Sequence, residues 1–277
     1  TTTYFVQAAL RTVHESTGVI GTVELRVGDR AIESPRTTVE APVLQGLFAL
    51  MREEGVTGCA MEVSSHGLAL GRTAATEFDV VGFTNLQRDH LDFHGDMDGY
   101  FRDKARLFDP ASARRGVVVV DDEWGRRLAA EARIPVETLA TRPGSGEADW
   151  WVEDARIGLD GVGSTFTLRG PEGAVAAASP LPGLVNVSNA ALAVVLAYRA
   201  GVPLEQAAAA VGSAAAIPGR MERVVERGGD VPLCLVDYAH TPDALTLALE
   251  AVRPITPGRL VLVLGSDGDR DRGKRPI

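Results

Sequence analysis

The length, composition and charge of the chain set limits on its structure and its partners. Its 277 residues suffice for one large domain or two smaller ones, and 45% hydrophobic with 5% aromatic residues is typical of a globular protein with an aliphatic core. The formal net charge of -9 argues against nucleic acid as the main partner, although local basic loops of an acidic protein can still bind a phosphorylated small molecule.

The first part of the chain alternates between helical periodicity and short apolar runs. Residues 1–17 predict a helix that ends at Gly18. After it, buried strands are predicted at residues 58–65, 78–85 and 115–122, and helices at about residues 40–54, 97–108 and 123–133. This alternation predicts an α/β domain with a mostly parallel, doubly wound sheet.

The second part of the chain predicts a change of architecture. Residues 148–179 alternate in polarity and are rich in glycine turns, which predicts a small antiparallel portion. A helix is predicted at residues 186–201 and a hinge at the Pro-Gly corner of residues 217–220. Beyond it, a strand, a helix and a strand are predicted at residues 232–239, 243–252 and 259–266, as the start of a second, Rossmann-like α/β unit. We therefore expect two domains, residues 1–218 and 219–277.

The cysteines and the apolar runs predict a cytoplasmic protein. Cys59 and Cys234 each lie in an apolar run that resembles a buried strand, and distant buried thiols fit a reducing cytosol better than a disulfide framework. The best candidate for a membrane span, AALAVVLAY, is too short and lies between Asn189 and Arg199. No signal peptide is visible, and the chain starts at Thr1, so we expect the natural N-terminus to lie upstream.

Polar side chains follow two of the predicted parallel strands. Glu62 lies near the end of one strand, and a polar segment that ends at His90 follows the next. Ligands of parallel sheets bind beyond the carboxyl ends of strands, and one carboxylate with one imidazole suits a metal ion of intermediate hardness. A surface acid and a hydrogen-bonded loop histidine are the open alternative. Lys104, in the helix that follows, is a cation that would oppose such an ion.

Two pairs of polar residues lie at predicted helix ends. Thr37 and Thr38 precede a helix, where a hydroxyl can cap the helix and the N-terminus can bind an anion. Asn186 and Asn189 are one turn apart on one helix face, so they either cap the helix or face a cleft.

Further polar residues follow the predicted hinge. Arg220 lies after the Pro-Gly corner, and its guanidinium can fork onto phosphate oxygens. Asp237 and His240 end a predicted strand, in positions suited to ligand contact. Residues 265–276 form a charged, glycine-rich segment after a predicted strand, and on composition alone this segment could be a solvated loop.

Several segments, in this order, resemble the Mur ligases. They are TTVEA, MEVSSHGL, NLQRDHLDFHGDMDGYFRDKARLF, LPGLVNVSNAA, IPGRME, DYAHTPDAL and GDRDRGKRP, and they extend over almost the whole chain. Within the family the chain looks most like the MurE type, UDP-N-acetylmuramoyl-tripeptide synthetase. The resemblance implies a three-domain enzyme whose first domain binds the UDP end of the substrate, whose central domain binds ATP and whose third domain binds the incoming amino acid.

The resemblance also implies a reaction. ATP phosphorylates the D-glutamate carboxylate of UDP-MurNAc-L-Ala-D-Glu, the amine of a diamino acid attacks the acyl phosphate, and Mg²⁺ neutralises charge on the transferred group. Such an enzyme serves peptidoglycan precursor synthesis, and with it cell-wall biogenesis, cell shape and cell division. It is expected to act as a cytoplasmic monomer.

Position by position, the resemblance assigns roles to individual residues. Glu62 and His90 match the family's magnesium ligands, and Lys104 matches its carbamylated lysine, in which carbon dioxide turns the cation into an anion. Matches to muramyl-peptide contacts are Thr37, Thr38, Ser64 and Arg72, and matches to contacts with ATP or its pocket are Asn186, Asn189, Arg220, Asp237 and His240. Asp92 and His94 receive no chemical role and are interpreted as structural.

The chain departs from the family pattern at both ends. The family carries a phosphate loop ending in Gly-Lys-Thr or Gly-Lys-Ser, whereas this chain opens with TTTYF, as a P-loop-type ATPase domain without its loop and without the UDP-binding domain. The third domain stops at Ile277. There are three smaller departures: this chain has Val39 where the family usually has Pro, Val185 where it usually has an aromatic residue, and Asp267 where it usually has Gly. We expect an internal fragment, inactive or nearly so, of a full-length ligase.

Other functions stay open. A ligase like folylpolyglutamate synthetase shares the superfamily, although TTVEA and MEVSSHGL favour the muramyl ligase. A non-catalytic relative that binds muramyl nucleotides would explain the missing phosphate loop. A metallohydrolase would require His90, Asp92 and His94 to converge on one zinc ion. The choice between meso-diaminopimelate and L-lysine is open, because the selecting segment lies beyond Ile277.

Overall fold

The computed structural model describes residues 1–34, 36–158, 163–226, 228–229 and 231–265. The strands are β1 (Thr17–Ile20), β2 (Leu25–Val27), β3 (Arg30–Ile32), β4 (Gly58–Met61), β5 (Val81–Phe83), β6 (Gly116–Val119), β7 (Val136–Ala140), β8 (Trp150–Ile157), β9 (Ser164–Gly170), β10 (Gly173–Ser179), β11 (Glu222–Val225) and β12 (Cys234–Val236). The α-helices are α1 (Thr2–Leu10), α2 (Ala41–Glu53), α3 (Ser65–Ala69), α4 (Leu91–His94), α5 (Met97–Ala105), α6 (Glu123–Glu131), α7 (Leu184–Arg199), α8 (Leu204–Gly212) and α9 (Pro242–Val252).

Two main sheets carry the fold. One has the order β3-β2-β1-β4, in which β1 and β4 are parallel and the other pairs antiparallel. The other has the order β10-β9-β8-β7-β6-β5, with β5 to β8 parallel and β8 to β10 antiparallel. The predicted α/β class, with parallel strands and an antiparallel portion, is confirmed.

Helices α1 and α7 join the two sheets through one apolar core. Phe5 of α1 and Trp150 of β8 are fully buried, and they belong to the same cluster as Leu192 of α7. The cluster also includes Ala60 of β4 and Val117 of β6, one from each sheet. Burial of this apolar surface therefore holds the sheets together as one unit.

Side-chain caps set the start of helices α5 and α6. The Asp96 carboxylate accepts a bond from the Gly99 N–H at 2.7 Å and begins α5, and Asp122 does the same for Gly125 at 2.7 Å in α6. Aspartate at this position satisfies one of the free N–H groups of the first turn. The helices predicted at residues 40–54, 97–108 and 123–133 are confirmed, with Arg106–Phe108 forming a 3-10 turn after α5.

The prediction of one helix up to Gly18 is wrong. Helix α1 ends at Leu10, and Gly18 lies in β1, between the β-branched residues Thr17 and Val19. A Cβ at Gly18 would come 2.6 Å from the Cε atom of Met51, so this glycine allows α2 to pack closely on the strand. The predicted strands at residues 58–65, 78–85 and 115–122 are real but shorter.

After α8, the chain forms β11, β12 and α9. The two strands pair with each other antiparallel and form a separate sheet among the described strands. Helix α9 packs on the central unit, where Ala251 joins the core of α7 and would meet a Cβ at Gly183. The strand predicted at residues 259–266 is wrong over residues 259–265, which are mostly exposed and lie in no described sheet; Ser266 is outside the described residues. The domain boundary at residue 218 stays a prediction.

Across the described residues, no helix combines the length and apolar character needed to cross a membrane. The described cysteines Cys59 and Cys234 are both free thiols.

Candidate active site

A cleft of about 920 Å³ opens between the two sheets. Its walls include β4 and β5, whose described partners, β1 and β6, lie on the sides away from the cleft. The residues after the carboxyl ends of both strands also line it, with Glu62 after β4 and Asn85 after β5. Thr1 and Lys104 are on the same walls. The cleft is therefore where a ligand of parallel strands is expected to bind.

Glu62 is fixed through one of its two carboxylate oxygens. Its Oε2 atom accepts bonds from the N–H and the hydroxyl of Thr22, both at 2.8 Å. Because the Thr22 hydroxyl donates to Glu62, it accepts the 2.9 Å bond from the Thr37 hydroxyl. Oε1 has no hydrogen-bond partner within the described ranges, so the carboxylate presents an oriented oxygen to the cleft.

The other residues predicted to contact the muramyl peptide surround this carboxylate. The buried Thr38 hydroxyl donates to the Glu62 carbonyl at 3.2 Å and accepts from the Ser64 N–H at 2.9 Å. The Ser64 hydroxyl accepts from the Gly67 N–H at 3.0 Å and caps α3. Arg72 donates to the Thr38 carbonyl at 3.2 Å. The structure thus brings these predicted residues together. Within the protein, the Thr38 hydroxyl bridges the backbone at Glu62 and Ser64, and the Ser64 hydroxyl caps α3.

Lys104 lies in the wall of the cleft near the end of α5. Its Nζ atom is 5.2 Å from the centre of the Tyr100 ring. Burial lowers the pKa of the Lys104 amine from 10.5 to about 8, because removal from water disfavours the charged form. The amine is therefore poised to lose its proton near neutral pH.

His90 directly precedes α4 and also lies near Tyr100. Its backbone is left-handed, with φ 53°, an uncommon conformation for a residue other than glycine. Its ring centre is 6.4 Å from that of Tyr100 and 4.8 Å from that of His66. Lys104 and His90 are thus neighbours of the same tyrosine, while Glu62 and Lys104 line the same cleft.

The cation-binding potential of this region rests on few side chains. Within the described ranges, no group of three or more His, Cys, Asp or Glu residues is arranged to hold a metal ion. The predicted magnesium set has two such residues, Glu62 and His90, so convergence with Lys104 stays a prediction. The zinc alternative loses support, because both ring nitrogens of His94 are occupied, by Asp103 at 2.8 Å and by Ser65 at 2.9 Å.

The asparagine pair holds the start of α1 against α7. The Asn186 side-chain amide donates to the Pro182 carbonyl at 2.8 Å, and its Oδ1 atom accepts from Asn189 at 3.3 Å. Asn189 lines the cleft and accepts a bond from the Thr2 hydroxyl at 3.1 Å. Asn186 therefore has a structural bond, and Asn189 connects the amino end of α1 to the site.

Arg220 and the residues after β12 approach the same region from the second unit. The charges of Glu62 and Arg220 both act on Thr1, so the start of α1 lies near both side chains. The Arg220 guanidinium lies 4.9 Å from the Tyr238 ring centre. Asp237 accepts from the Met221 N–H at 2.9 Å, and so positions the turn next to Arg220.

His240 reaches the loop that carries the other predicted ligand. Its Nε2 atom is 3.9 Å from the Asp89 carboxylate, which directly precedes His90 in the chain. Thr22 lies beside Glu62 and His66 beside His90, and the sequence analysis gave neither of them a role. Thr22 lies in a turn with no recognisable motif, and only the fold brings it to Glu62.

Comparison with known proteins identifies the family of this chain. The family model described as Mur ligase middle domain matches residues 1–197, and the model described as Mur ligase, glutamate ligase domain matches residues 219–277. The structure is that of a mixed α/β protein with a cleft beyond the carboxyl ends of its parallel strands. The chain belongs to the Mur ligase family.

Individual relatives and solved structures show which members of the family the chain resembles. The chain is 51% identical over 277 residues to a UDP-N-acetylmuramoyl-L-alanyl-D-glutamate--2,6-diaminopimelate ligase of Streptomyces coelicolor, covering 99% of this chain and 53% of the relative. A solved structure of a ligase with the same printed name is 33% identical, with a TM-score of 0.79, covering 100% of this chain and 56% of that one. The FPGS-AMPPCP-folate complex, at 17% identity and a TM-score of 0.66, covers 93% of this chain and 69% of its own, and shows the shared fold alone. The chain spans about half the length of the curated relatives it matches.

Proposed function

We propose that the full-length protein containing this chain is an ATP-dependent ligase of peptidoglycan precursor synthesis. It joins a diamino acid to UDP-MurNAc-L-Ala-D-Glu, with ADP and phosphate as the other products. The observation that carries the proposal is that Glu62, Lys104 and Thr1 line one cleft, in a chain 51% identical to a named 2,6-diaminopimelate ligase. We propose diaminopimelate as the amino acid on the printed name of that relative.

The residues at the cleft fit a bound magnesium ion. Glu62 offers one oriented carboxylate oxygen, and Mg²⁺ prefers oxygen ligands in a rigid arrangement. Glu62, His90 and a carbamylated Lys104 are the proposed ligands. When bound, magnesium neutralises charge on the phosphoryl groups of ATP.

Lys104 is proposed to be carbamylated. The reaction needs the neutral amine, which attacks carbon dioxide, forms a nitrogen–carbon bond and releases one proton. The lowered pKa of about 8 supplies that neutral amine. The product is an anion, so Lys104 then attracts a divalent cation instead of repelling it.

The amino end of α1 is the proposed place of the ATP phosphates. Thr1 lies in the cleft, next to the charge of Arg220, and helix N-termini bind phosphate through free N–H groups. A strand filling the gap between β4 and β5, and turning into α1, would bring a phosphate loop to this point. Asn186, Asn189, Asp237 and His240 are the proposed residues that contact ATP or shape its pocket.

The muramyl peptide is proposed to bind on the opposite side, against the β1–β2 turn and α3. Thr37, Thr38, Ser64 and Arg72 are the proposed contacts. Their bonds to one another and to Glu62 support a shared, preorganised surface, on which a bound carboxylate is held for phosphorylation. The amine of the diamino acid then displaces phosphate and forms the amide bond.

Phosphate release tests this proposal. The full-length protein is assayed with UDP-MurNAc-L-Ala-D-Glu, ATP, magnesium and either meso-diaminopimelate or L-lysine, and we expect turnover with diaminopimelate. Residues 1–277 alone are expected to show little turnover, since they lack the proposed phosphate loop, and one phosphate-clamping group is typically worth on the order of a hundredfold in rate. Turnover with neither amino acid by the full-length protein would refute the function, and efficient ligation by residues 1–277 would refute the role given to the loop.

The Glu62→Gln variant gives the matched test of the metal site. The amide keeps the size of the side chain and its contact with Thr22 but removes the negative charge. We expect a rate lower by at least about a hundredfold, with the loss concentrated in kcat, because the charge acts on the transferred phosphoryl group.

A further inference from the structure

A buried hydrogen-bonded chain connects three helices beside the proposed site. The His94 side chain, at the end of α4, is 0% exposed, and its Nδ1 atom lies 2.8 Å from the Asp103 carboxylate of α5. Its Nε2 atom lies 2.9 Å from the hydroxyl of Ser65, the first residue of α3. A small number of polar groups thus joins segments that are distant in sequence.

The chemistry of the three groups fixes the direction of the bonds. A carboxylate only accepts, so the Nδ1 atom of His94 carries the hydrogen that bonds Asp103. In the neutral imidazole, Nε2 is then an acceptor for the Ser65 hydroxyl. Each partner orients the ring and removes the freedom to flip, and the cost of leaving either nitrogen unpaired in this buried place opposes rearrangement.

Each of the three hydrogen-bonded residues lies next to a residue of the proposed site or next to Tyr100, the neighbour of Lys104. Ser65 follows Ser64, and Asp103 precedes Lys104. The His94 ring stacks on Tyr100, with centres 4.7 Å apart and planes at 14°, and Tyr100 is the residue beside Lys104. Movement of His94 would therefore displace the surroundings of Lys104 directly.

We propose that Ser65, His94 and Asp103 form a positioning unit for Lys104 and His90. The unit holds the amino end of α3, the helix that follows His90 and the helix that carries Lys104 in one arrangement. In this arrangement Lys104 can be carbamylated and bind the same metal ion as Glu62 and His90. This inference rests on the proposed function, but its residues touch no reacting atom.

Single hydroxyl deletions provide a matched test in the full-length protein. Ser65→Ala removes the bond to Nε2 of His94. Thr141→Val removes a comparable buried hydroxyl, which bonds Asp121 at 2.5 Å beyond the end of β7, outside the unit. His94→Asn keeps an amide able to bond Asp103 and loses the reach to Ser65.

We expect Ser65→Ala and His94→Asn to lower kcat by about tenfold to a hundredfold, with KM changed much less, because misplacement of about an ångström can cost about a hundredfold in rate. The double variant should be no slower than the slower single one, since both remove the same bond. Thr141→Val should lower the melting temperature similarly and leave kcat unchanged. Equal kcat in wild type and Ser65→Ala, or an equal loss in Thr141→Val, would overturn the proposal.

A readout without turnover separates this inference from the proposed function. In ¹³C-bicarbonate, the carbamate signal that depends on Lys104 should fall at least about threefold in Ser65→Ala and stay unchanged in Thr141→Val. If the wild type does not ligate, the function fails, and the carbamate signal alone decides the positioning unit. Absence of that signal in the wild type, or its full retention in Ser65→Ala, would overturn the inference.

Discussion

Carbamylation of Lys104 is the most direct test of the chemistry of the cleft. Lys104 and Lys274 are the two lysines of the chain, so few amines compete for carbon dioxide. Burial lowers the Lys104 pKa from 10.5 to about 8, and this difference of about 2.5 makes the neutral amine about 300 times more abundant at pH 7 than for an exposed lysine. About a tenth of the amine is then neutral at that pH, against about 0.03%.

The assay is ¹³C NMR of the 277-residue chain equilibrated with ¹³C-bicarbonate. We expect one carbamate signal that grows as the pH rises from 7 to 8, because the neutral amine increases. It should be absent in Lys104→Met and present in Lys274→Arg, while a signal from the Thr1 amine would persist in both variants. A wild-type chain without a signal dependent on Lys104, or a Lys104 amine that titrates near 10.5, would refute the reasoning from burial.

Three further expectations follow from the same structure. In buffer free of carbon dioxide, Lys104→Met should raise the free energy of unfolding at pH 7 by up to about 3 kcal/mol, because it removes an amine whose pKa folding lowers by about 2.5. The lowered pKa disfavours the folded state only where the amine of the unfolded chain is charged. The gain in stability should therefore shrink between pH 8 and 10.5. Urea titrations at several pH values measure it, and a gain independent of pH would contradict it. Backbone amides of β4 and β5 should exchange hydrogen faster in the 277-residue chain than in the full-length protein, where the proposed strand between them would pair with both. Strand β6 is paired on both sides and should exchange equally in the two proteins. If the two proteins exchange at equal rates in all three strands, no strand fills the cleft. Asp96→Ala should cost about 1 kcal/mol, similar to Asp122→Ala, because each removes one helix cap; no loss in either would show that these caps add nothing to stability.

Local signals in the sequence were sufficient for the longer helices. In α2, Leu44, Leu47 and Met51 repeat at helical spacing and are buried, and in α5 and α6 an aspartate cap marks the start. Strands β1 to β3 were not predicted, because their short segments TGVI, LRV and RAI stand among glycine and polar residues, whereas β5 and β6 lie within longer apolar runs. The same limitation made α1 too long, since nothing local separates its polar end from the turn that leads to β1.

The sequence placed side chains that directly follow a strand, and it missed contacts between residues that are distant in sequence. Glu62 could be placed at the edge of a parallel sheet from its position alone. Its partner Thr22 is 40 positions away and became visible only when β1 paired with β4. His94 was interpreted as structural, and its partners Ser65 and Asp103 were not recognised, because a hydrogen-bonded chain between three helices leaves no pattern in the sequence.

The charges around the cleft explain why a modifiable lysine suits this place better than a permanent acid. With Lys104 unmodified, its cation opposes magnesium while the single carboxylate of Glu62 attracts it. The proposed carbamylation would change the charge at Lys104 from positive to negative, so a divalent ion would then meet two anions, at Glu62 and Lys104. The proposed ion and carbamate would stabilise each other, because each would lower the cost of burying the other in the cleft. A second permanent acid, at the position of Lys104, would have to be buried without a partner whenever magnesium was absent, whereas an amine with a pKa of about 8 can give up its charge at a smaller cost.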